Sequence, residues 1–183
     1  MTAVELQERT ALPDELKIAP DKPGYAFNVV GVYQDPLTQS WAVPMCRLVR
    51  QLAEEERVQN RWYAVNSLSD TRILLEAVHA ALVADVIVVS VYAADELPLD
   101  LYVWIDAWLP RRPSRMGALT ALIGVADPLD SQSVRTQEYL EAVARKAQLD
   151  FIPQERKRPA APFFFHEAEP WTTRPLQSSS PSL

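Results

Sequence analysis

Residues 85–90 read Asp85-Val-Ile-Val-Val-Ser90, and this stretch decides the fold class of the 183-residue chain. An uninterrupted run of β-branched residues is typical of a strand whose two faces are both buried. Strands of that kind belong to parallel sheets, because helical crossover connections cover both faces of such a sheet. The sequence on either side should therefore alternate between further strands and helices.

Four further strands are predicted around this stretch. Residues 27–33 and 118–124 are also apolar, whereas residues 61–65 alternate and residues 151–153 include Pro153. A strand that alternates, or that carries proline, belongs at a sheet edge. Edges at strands 2 and 5 match the flavodoxin-like order 2-1-3-4-5. The predicted fold is α/β, a three-layer αβα arrangement around a five-stranded parallel sheet.

Helices with one apolar face are predicted between the strands. The first should begin between Trp41 and Pro44 with Ser40 as its N-cap, because proline is tolerated in the first turn of a helix. The starts of the others are marked by Ser69 or Asp70, by Pro98, and by Ser131 or Ser133. The third helix carries Trp104 and Trp108 on an apolar stripe that could face either the sheet or the second subunit of a homodimer.

Composition divides the chain into one folded domain and two extended arms. Residues 1–25 are mostly polar, residues 26–155 carry the strands and helices, and residues 156–183 are rich in proline. The C-terminal arm also contains four large aromatic side chains: Phe163, Phe164, Phe165 and Trp171. Such side chains predict a buried contact, made either with the arm's own domain or with a protein partner.

Charge and composition exclude several classes of protein. Asp and Glu outnumber Lys and Arg by 24 to 18, so the chain lacks the basic footprint of a nucleic-acid-binding domain. One cysteine, Cys46, and two histidines exclude a disulfide framework and predict no metal site. No apolar stretch approaches the roughly 20 residues that cross a bilayer, and the N-terminus lacks an apolar signal region. We therefore expect no membrane contact and a cytoplasmic location.

The loops that follow strands 1, 3 and 4 should meet at one edge of the sheet, where ligands of this architecture bind. These loops contain no lysine or arginine but several acids: Asp35, Asp95, Glu96, Asp127 and Asp130. An acidic rim repels phosphate and can attract a cation or a basic partner. Loop acids are also commonly just solvated, and this second interpretation is the simpler one.

Residues 84–141 resemble the NADPH-dependent FMN reductases of the flavodoxin superfamily. Those proteins follow strand 3 with the pattern Thr/Ser-Pro-Glu-Tyr-Asn-x-x-x-Pro-x-x-x-Lys-x-x-x-Asp, usually with Leu before the Lys. Counted without gaps from Ser90, the second Pro falls on Pro98, the Leu on Leu101 and the Asp on Asp106. Two further segments are similar to the family's fourth strand and its Arg-Ala-Gln-x-x-Leu helix, namely residues 117–124 and 135–140.

The resemblance implies an FMN site at the carboxyl ends of the strands. Thr38 and Ser40 would bind the phosphate, the ring would stack near Tyr92 or Trp41, and Ser90 and Gly124 complete the set of cofactor-binding residues. With that site intact, the protein would be an FMN-dependent NAD(P)H oxidoreductase.

The departures from the family pattern fall on positions that contact the cofactor. Residues 91–94, Val-Tyr-Ala-Ala, stand at the family's Pro-Glu-Tyr-Asn, and Tyr102 stands at its Lys. Residues 125–130 contain no glycine where the family has a glycine-rich turn, and the loop after strand 1 adds the Asp35 carboxylate without offering an arginine. Packing positions are retained while cofactor contacts are replaced.

The leading hypothesis is therefore a flavodoxin-like domain with a degenerate flavin site, which acts as a non-catalytic binding or regulatory component and holds FMN weakly or not at all. The alternative is the working oxidoreductase. A receiver-like phosphoacceptor domain fits less well, because strand 3 ends in Ser90 instead of an acid and strand 5 runs into Gln154-Glu155 instead of a lysine. No catalytic residue is assigned, and Cys46 has the mid-helix position of a structural thiol.

Overall fold

The computed structural model describes residues 26–52, 58–126 and 131–158. The strands in this part of the chain are Phe27–Tyr33 (β1), Val58–Ala64 (β2), Val86–Tyr92 (β3), Ala118–Val125 (β4) and Asp150–Lys157 (β5). The α-helices are Pro36–Leu52 (α1), Thr71–Val83 (α2), Leu99–Trp108 (α3) and Ser131–Lys146 (α4). Short 3-10 helices at Val65–Ser69 and Leu109–Arg111 extend two of the connections.

The strands form one parallel five-stranded sheet in the order β2-β1-β3-β4-β5. This order and the flanking helices confirm the predicted flavodoxin-like fold class. Pro153 lies in β5, an edge strand, as predicted. The domain limits 26–155 stay a prediction, because residues 1–25 and 159–183 lie outside the described part of the chain.

The larger core cluster lies between the sheet and helices α2, α3 and α4. Trp104 and Trp108 of α3 are both fully buried in it, with their rings 5.8 Å apart. The apolar stripe of α3 therefore faces the sheet, and it is not available as a subunit interface. A homodimer through another surface stays a prediction.

A smaller cluster lies on the opposite face of the sheet, under α1. Ala42 of α1 packs there with Val29, Val88 and Leu122 of the three central strands. Trp62 of the edge strand β2 joins this cluster and crosses β1 at Gly31, where an added Cβ would lie 1.9 Å from the indole ring. Glycine is thus needed at that position for side-chain packing.

The predicted start of the first helix is wrong. The helix begins at Pro36 instead of between Trp41 and Pro44, and Ser40 lies inside it instead of capping it. Pro36 takes the first helical position, where its missing N–H costs nothing. Pro44 leaves the Ser40 carbonyl without its helical donor, but Ser40 is exposed, so water can bind that oxygen.

Two strands are also longer than predicted. Strand β2 begins at Val58 instead of residue 61, and β5 extends to Lys157 instead of ending at residue 153. The added residues of β5 pair with the last residues of β4, up to Val125 with Lys157. Pairing with a neighbouring strand, and not local composition, defines these ends.

Candidate functional site

The turn between β1 and α1 is closed by a reciprocal pair of hydrogen bonds between Asp35 and Thr38. The Thr38 amide donates to Asp35 Oδ1 at 2.8 Å, and the Asp35 amide donates to Thr38 Oγ1 at 2.9 Å. Thr38 Oγ1 also accepts from the Gln34 amide at 3.0 Å. This is the geometry of a capping box, in which the chain's own side chains satisfy the free amides at a helix N-terminus.

Thr38 and Ser90 are brought into contact, and both are fully buried. The Ser90 hydroxyl donates to the Thr38 carbonyl oxygen at 2.6 Å, which joins the first turn of α1 to β3. Gln34 adds a second link, because its side-chain oxygen accepts from the Tyr92 amide at 3.1 Å. In this arrangement the two hydroxyl groups hold the turn in place and are not presented to solvent.

The Asp35 carboxylate is held by groups from two elements. Tyr92 at the end of β3 donates its hydroxyl to Asp35 Oδ2 at 2.7 Å, while Thr38 of α1 donates to the other oxygen. Burial would raise the pKa of Asp35, but the hydrogen bonds from the Thr38 amide and the Tyr92 hydroxyl outweigh it, so that the pKa is lowered. Burial and the adjacent carboxylate raise the pKa of Tyr92. An ionised carboxylate therefore sits at the positive end of α1.

Two aromatic rings cover the end of β4. Trp41 and Tyr92 meet edge to face with their centroids 5.7 Å apart. A Cβ added to Gly124 would lie 2.4 Å from the Trp41 ring and 2.8 Å from the Tyr92 ring, so both rings pack directly on the backbone of β4. The Arg158 guanidinium lies over the Tyr92 ring, 4.5 Å from its centre. These three side chains therefore pack together at the carboxyl-end part of β3 and β4.

The structure brings together all the predicted cofactor-binding residues except Ser40. Thr38, Trp41, Ser90, Tyr92 and Gly124 form the cluster described above. Ser40 is exposed and donates its hydroxyl to the Leu37 carbonyl oxygen at 2.6 Å. It lines a separate cavity between α1 and β2.

One acid of the predicted acidic rim is paired with an arginine from outside its loops. Asp95 forms an ion pair with Arg135 of α4 at 2.6 Å. Glu96 is exposed, while Asp127 and Asp130 lie outside the described residues.

Two residues of the cluster were not predicted, Gln34 and Arg158. The role of Gln34 could not be predicted from the sequence, because it depends on where the fold places the Tyr92 amide. Arg158 was assigned to the C-terminal arm, but its amide donates to the Val125 carbonyl oxygen at 2.8 Å and thereby continues the pairing of β5 with β4. A short charged strand with no apolar pattern gives no warning of such an extension.

Several other residues have no part in the cluster. Cys46, interpreted above as a structural thiol, is half-buried in α1, where burial raises the pKa of its thiol. His79, one of the two histidines, is exposed on α2. The aromatic residues predicted to bind a partner, Phe163, Phe164, Phe165 and Trp171, lie outside the described residues. In residues 26–52, 58–126 and 131–158, no group of three or more His, Cys, Asp or Glu side chains is placed to hold a metal ion. The helices of these same residues are all too short or too polar to cross a membrane.

No protein-family model matches the chain, and no curated protein matches it. Among solved structures, the chain is similar to a flavodoxin of Streptococcus pneumonia TIGR4, with 13% sequence identity, 72% of this chain and 84% of that chain covered, and a TM-score of 0.48. Identity at this level bears on the fold alone and carries nothing about ligands.

Proposed function

We propose that this protein is a flavodoxin-like binding or regulatory domain that does not use FMN and does not catalyse a redox reaction. The observation that carries the proposal is the Asp35 carboxylate at the N-terminus of α1, where the resemblance to FMN reductases would place the cofactor's phosphate. A negatively charged side chain already occupies that position and is bonded to Thr38 and Tyr92.

Charge repulsion at this position opposes phosphate binding. Two unit negative charges about 4 Å apart repel each other by about 4 kcal/mol at an effective dielectric constant of about 20. The amides of Gln34, Asp35 and Thr38 could not compensate, because each already donates to an oxygen of the same turn. A phosphate group would have to displace the Thr38 hydroxyl and the Asp35 carboxylate together.

Packing opposes a flavin ring in the same way. Trp41 and Tyr92 pack on Gly124, and the Arg158 guanidinium lies over the Tyr92 ring. A flavin ring stacked on Gly124 would have to displace both aromatic side chains, and one stacked on the same face of Tyr92 would have to displace the guanidinium. The cation–π contact between Arg158 and Tyr92 alone is worth about 0.5–1 kcal/mol at an exposed site.

The positions shared with the FMN reductases support retention of the scaffold. Pro98 precedes the first residue of α3, and Leu101 is fully buried in the core. Tyr102 stands at the family's Lys, and its hydroxyl accepts a hydrogen bond from the Leu97 amide at 3.1 Å, which ties the loop before α3 to the helix. Of the shared residues, Leu101 therefore serves packing and Pro98 the start of α3, while Asp106 is exposed. Tyr102, which differs from the family, stabilises the loop before the helix.

The proposed binding role assigns the partner contact to the C-terminal arm. Arg158, the last described residue, follows β5 at the carboxyl-end edge of the sheet, with its guanidinium over the Tyr92 ring. Co-purification of a tagged full-length chain from its native cells is compared with that of a chain ending at Arg158. Loss of a stoichiometric partner on truncation supports the contact, while an unchanged set of partners contradicts it.

A direct test distinguishes the alternative function, an FMN-dependent NAD(P)H oxidoreductase, from the proposed one. The purified protein is incubated with FMN at 100 times a micromolar dissociation constant, where a specific complex would gain about 2.7 kcal/mol of stability. We expect no rise in the melting temperature and no FMN-dependent oxidation of NADH or NADPH. A clear rise together with turnover would contradict the proposal and establish the oxidoreductase.

A further inference from the structure

A cavity of about 520 Å³ opens between α1 and the edge strand β2, away from the strand-end cluster. Ala42 and Val43 of α1 and Trp62 of β2 contribute apolar surface, while Arg47 and Arg50 of α1 contribute charge. Sites for small molecules in proteins typically measure about 300–1,000 Å³ and combine apolar walls with few polar groups. This cavity has both properties.

The two charged side chains among the described residues that line the cavity are both arginines. Arg47 and Arg50 are three residues apart on α1, so they are neighbours on the helix surface. Both are exposed, and neither forms an ion pair with a carboxylate of residues 26–52, 58–126 or 131–158. Among the residues of 26–52 and 58–126 that line the cavity there is no Asp or Glu, although the whole chain has a net charge of −6. Guanidinium groups bind carboxylate and phosphate oxygens in a planar, two-pronged geometry.

A buried acceptor lies in the same wall. Asn60 of β2 lines the cavity, and its side-chain oxygen is buried without a hydrogen-bond partner among the described residues. An unsatisfied buried polar atom costs free energy that a bound N–H or O–H donor can recover. Next along the same face of β2, Trp62 presents a flat apolar surface that is fixed in position over Gly31.

We propose that this cavity binds a small aromatic anion, a carboxylate or a phosphate monoester, that also carries a hydrogen-bond donor. The arginines would hold the anionic group, the Trp62 ring would pack on the aromatic body, and Asn60 would accept from the donor. This site goes beyond the proposed function and does not depend on it, since none of these three contacts involves the strand ends.

Probes that vary one group at a time test the proposal on the full-length chain. Titrations of ¹H–¹⁵N correlation spectra compare 4-hydroxybenzoate with benzoate, which lacks the donor, and with tyramine, which replaces the anion by a cation. Phenyl phosphate distinguishes a phosphate ligand from a carboxylate one. We expect saturable shifts of the Asn60 and Trp62 signals with 4-hydroxybenzoate below about 1 mM, weaker binding of benzoate and no binding of tyramine. Absence of saturable shifts with every anionic probe would overturn the proposal.

Substitution of the arginines adds a second test. The double variant R47Q/R50Q should bind 4-hydroxybenzoate at least tenfold more weakly than the natural chain. The matched control is R72Q/R145Q, which removes two exposed arginines from other helices and changes the net charge equally. Equal weakening in both variants would show a general charge effect and would contradict the assigned site, whereas weakening in R47Q/R50Q alone, at an unchanged melting temperature, supports it.

Discussion

The Tyr92 hydroxyl donates a 2.7 Å hydrogen bond to Asp35 Oδ2, which ties the last residue of β3 to the residue that precedes α1. This bond places a carboxylate, that of Asp35, and an aromatic ring, that of Tyr92, together at the carboxyl-end edge of the sheet. The carboxylate is bonded from both sides, and the ring that bonds it also packs on Trp41. The edge at which a flavodoxin-like fold would bind a ligand is thus stabilised by contacts among the chain's own residues.

Replacement of the carboxylate should weaken the fold in a pH-dependent way. Asp35→Asn keeps a side-chain oxygen that can cap α1 but loses the negative charge, and a charge at a helix N-terminus contributes about 0.3–1 kcal/mol. Because the pKa of Asp35 is lowered in the folded protein, its stabilising effect is present above the unfolded-state pKa and is lost as the pH falls through the folded-state value. We therefore expect urea unfolding to give a lower free energy of unfolding for the variant than for the natural chain at neutral pH. Below about pH 4 this difference in free energy should shrink.

The control for that measurement is Asp95→Asn, whose partner Arg135 forms an exposed ion pair with it. Exposed pairs contribute about 0–1 kcal/mol, so this variant should be nearly as stable as the natural chain at neutral pH. A difference for Asp35→Asn that stays constant down to the acid limit would contradict the assignment of an ionised, hydrogen-bonded carboxylate.

The packing of Trp41 on Gly124 predicts a coupling between these two residues. Gly124→Ala places a Cβ 2.4 Å from the Trp41 ring, and overpacking of this kind costs about 1–3 kcal/mol. In a Trp41→Ala background the same substitution should cost clearly less, because the ring that it meets first is gone. A double-mutant cycle on the free energy of unfolding measures the coupling.

Gly31→Ala serves as the matched control for this cycle. Its added Cβ meets Trp62 and not Trp41, so the Trp41→Ala background should leave its cost unchanged. Equal relief of both glycine substitutions by Trp41→Ala would indicate general loosening of the α1 face and would contradict the specific contact.

The raised pKa of Tyr139 predicts that the folded protein loses stability in alkali. Burial, with the nearby Asp106 carboxylate and Tyr102, raises the pKa of Tyr139 to about 12. Because the pKa is raised in the folded state, the stability that neutral Tyr139 contributes is fully present below the unfolded-state pKa of about 10. It is lost as the pH rises toward the folded-state value of about 12. Absorbance titration of the tyrosinates should show a late step whose amplitude is smaller by one tyrosine in Tyr139→Phe and unchanged in Tyr33→Phe. A late step of unchanged amplitude in Tyr139→Phe would refute the assignment.

The sequence predicted the central strands well because burial on both faces leaves a local signature. The limits of β1 agree with the apolar run at 27–33, and the two edge strands were identified from alternation and from Pro153. The charged end of β5 could not be predicted, since only its pairing with β4 makes it a strand. That pairing places Arg158 over Tyr92, so the missed strand end and the missed site residue have one cause.

The start of α1 was missed for a different reason. The helix was predicted to begin between Trp41 and Pro44, although Asp at the N-cap, Pro at the first helical position and Thr three residues after the Asp form an earlier helix-start signal. That signal was present in the sequence. It contains Asp35 and Thr38, whose bonds close the turn, and correct interpretation would have predicted the occupied helix N-terminus directly.

The most direct test of the central claim is a titration of FMN, up to about 1 mM, monitored in ¹H–¹⁵N correlation spectra. If the strand ends are closed by their own side chains, the amide signals of Asp35, Thr38, Tyr92 and Gly124 stay unmoved. Shifts confined to Asn60 and Trp62 would locate binding in the α1–β2 cavity and would leave the claim intact. Saturable micromolar shifts of the strand-end amides, with the bound protein retaining yellow colour after desalting, would contradict it.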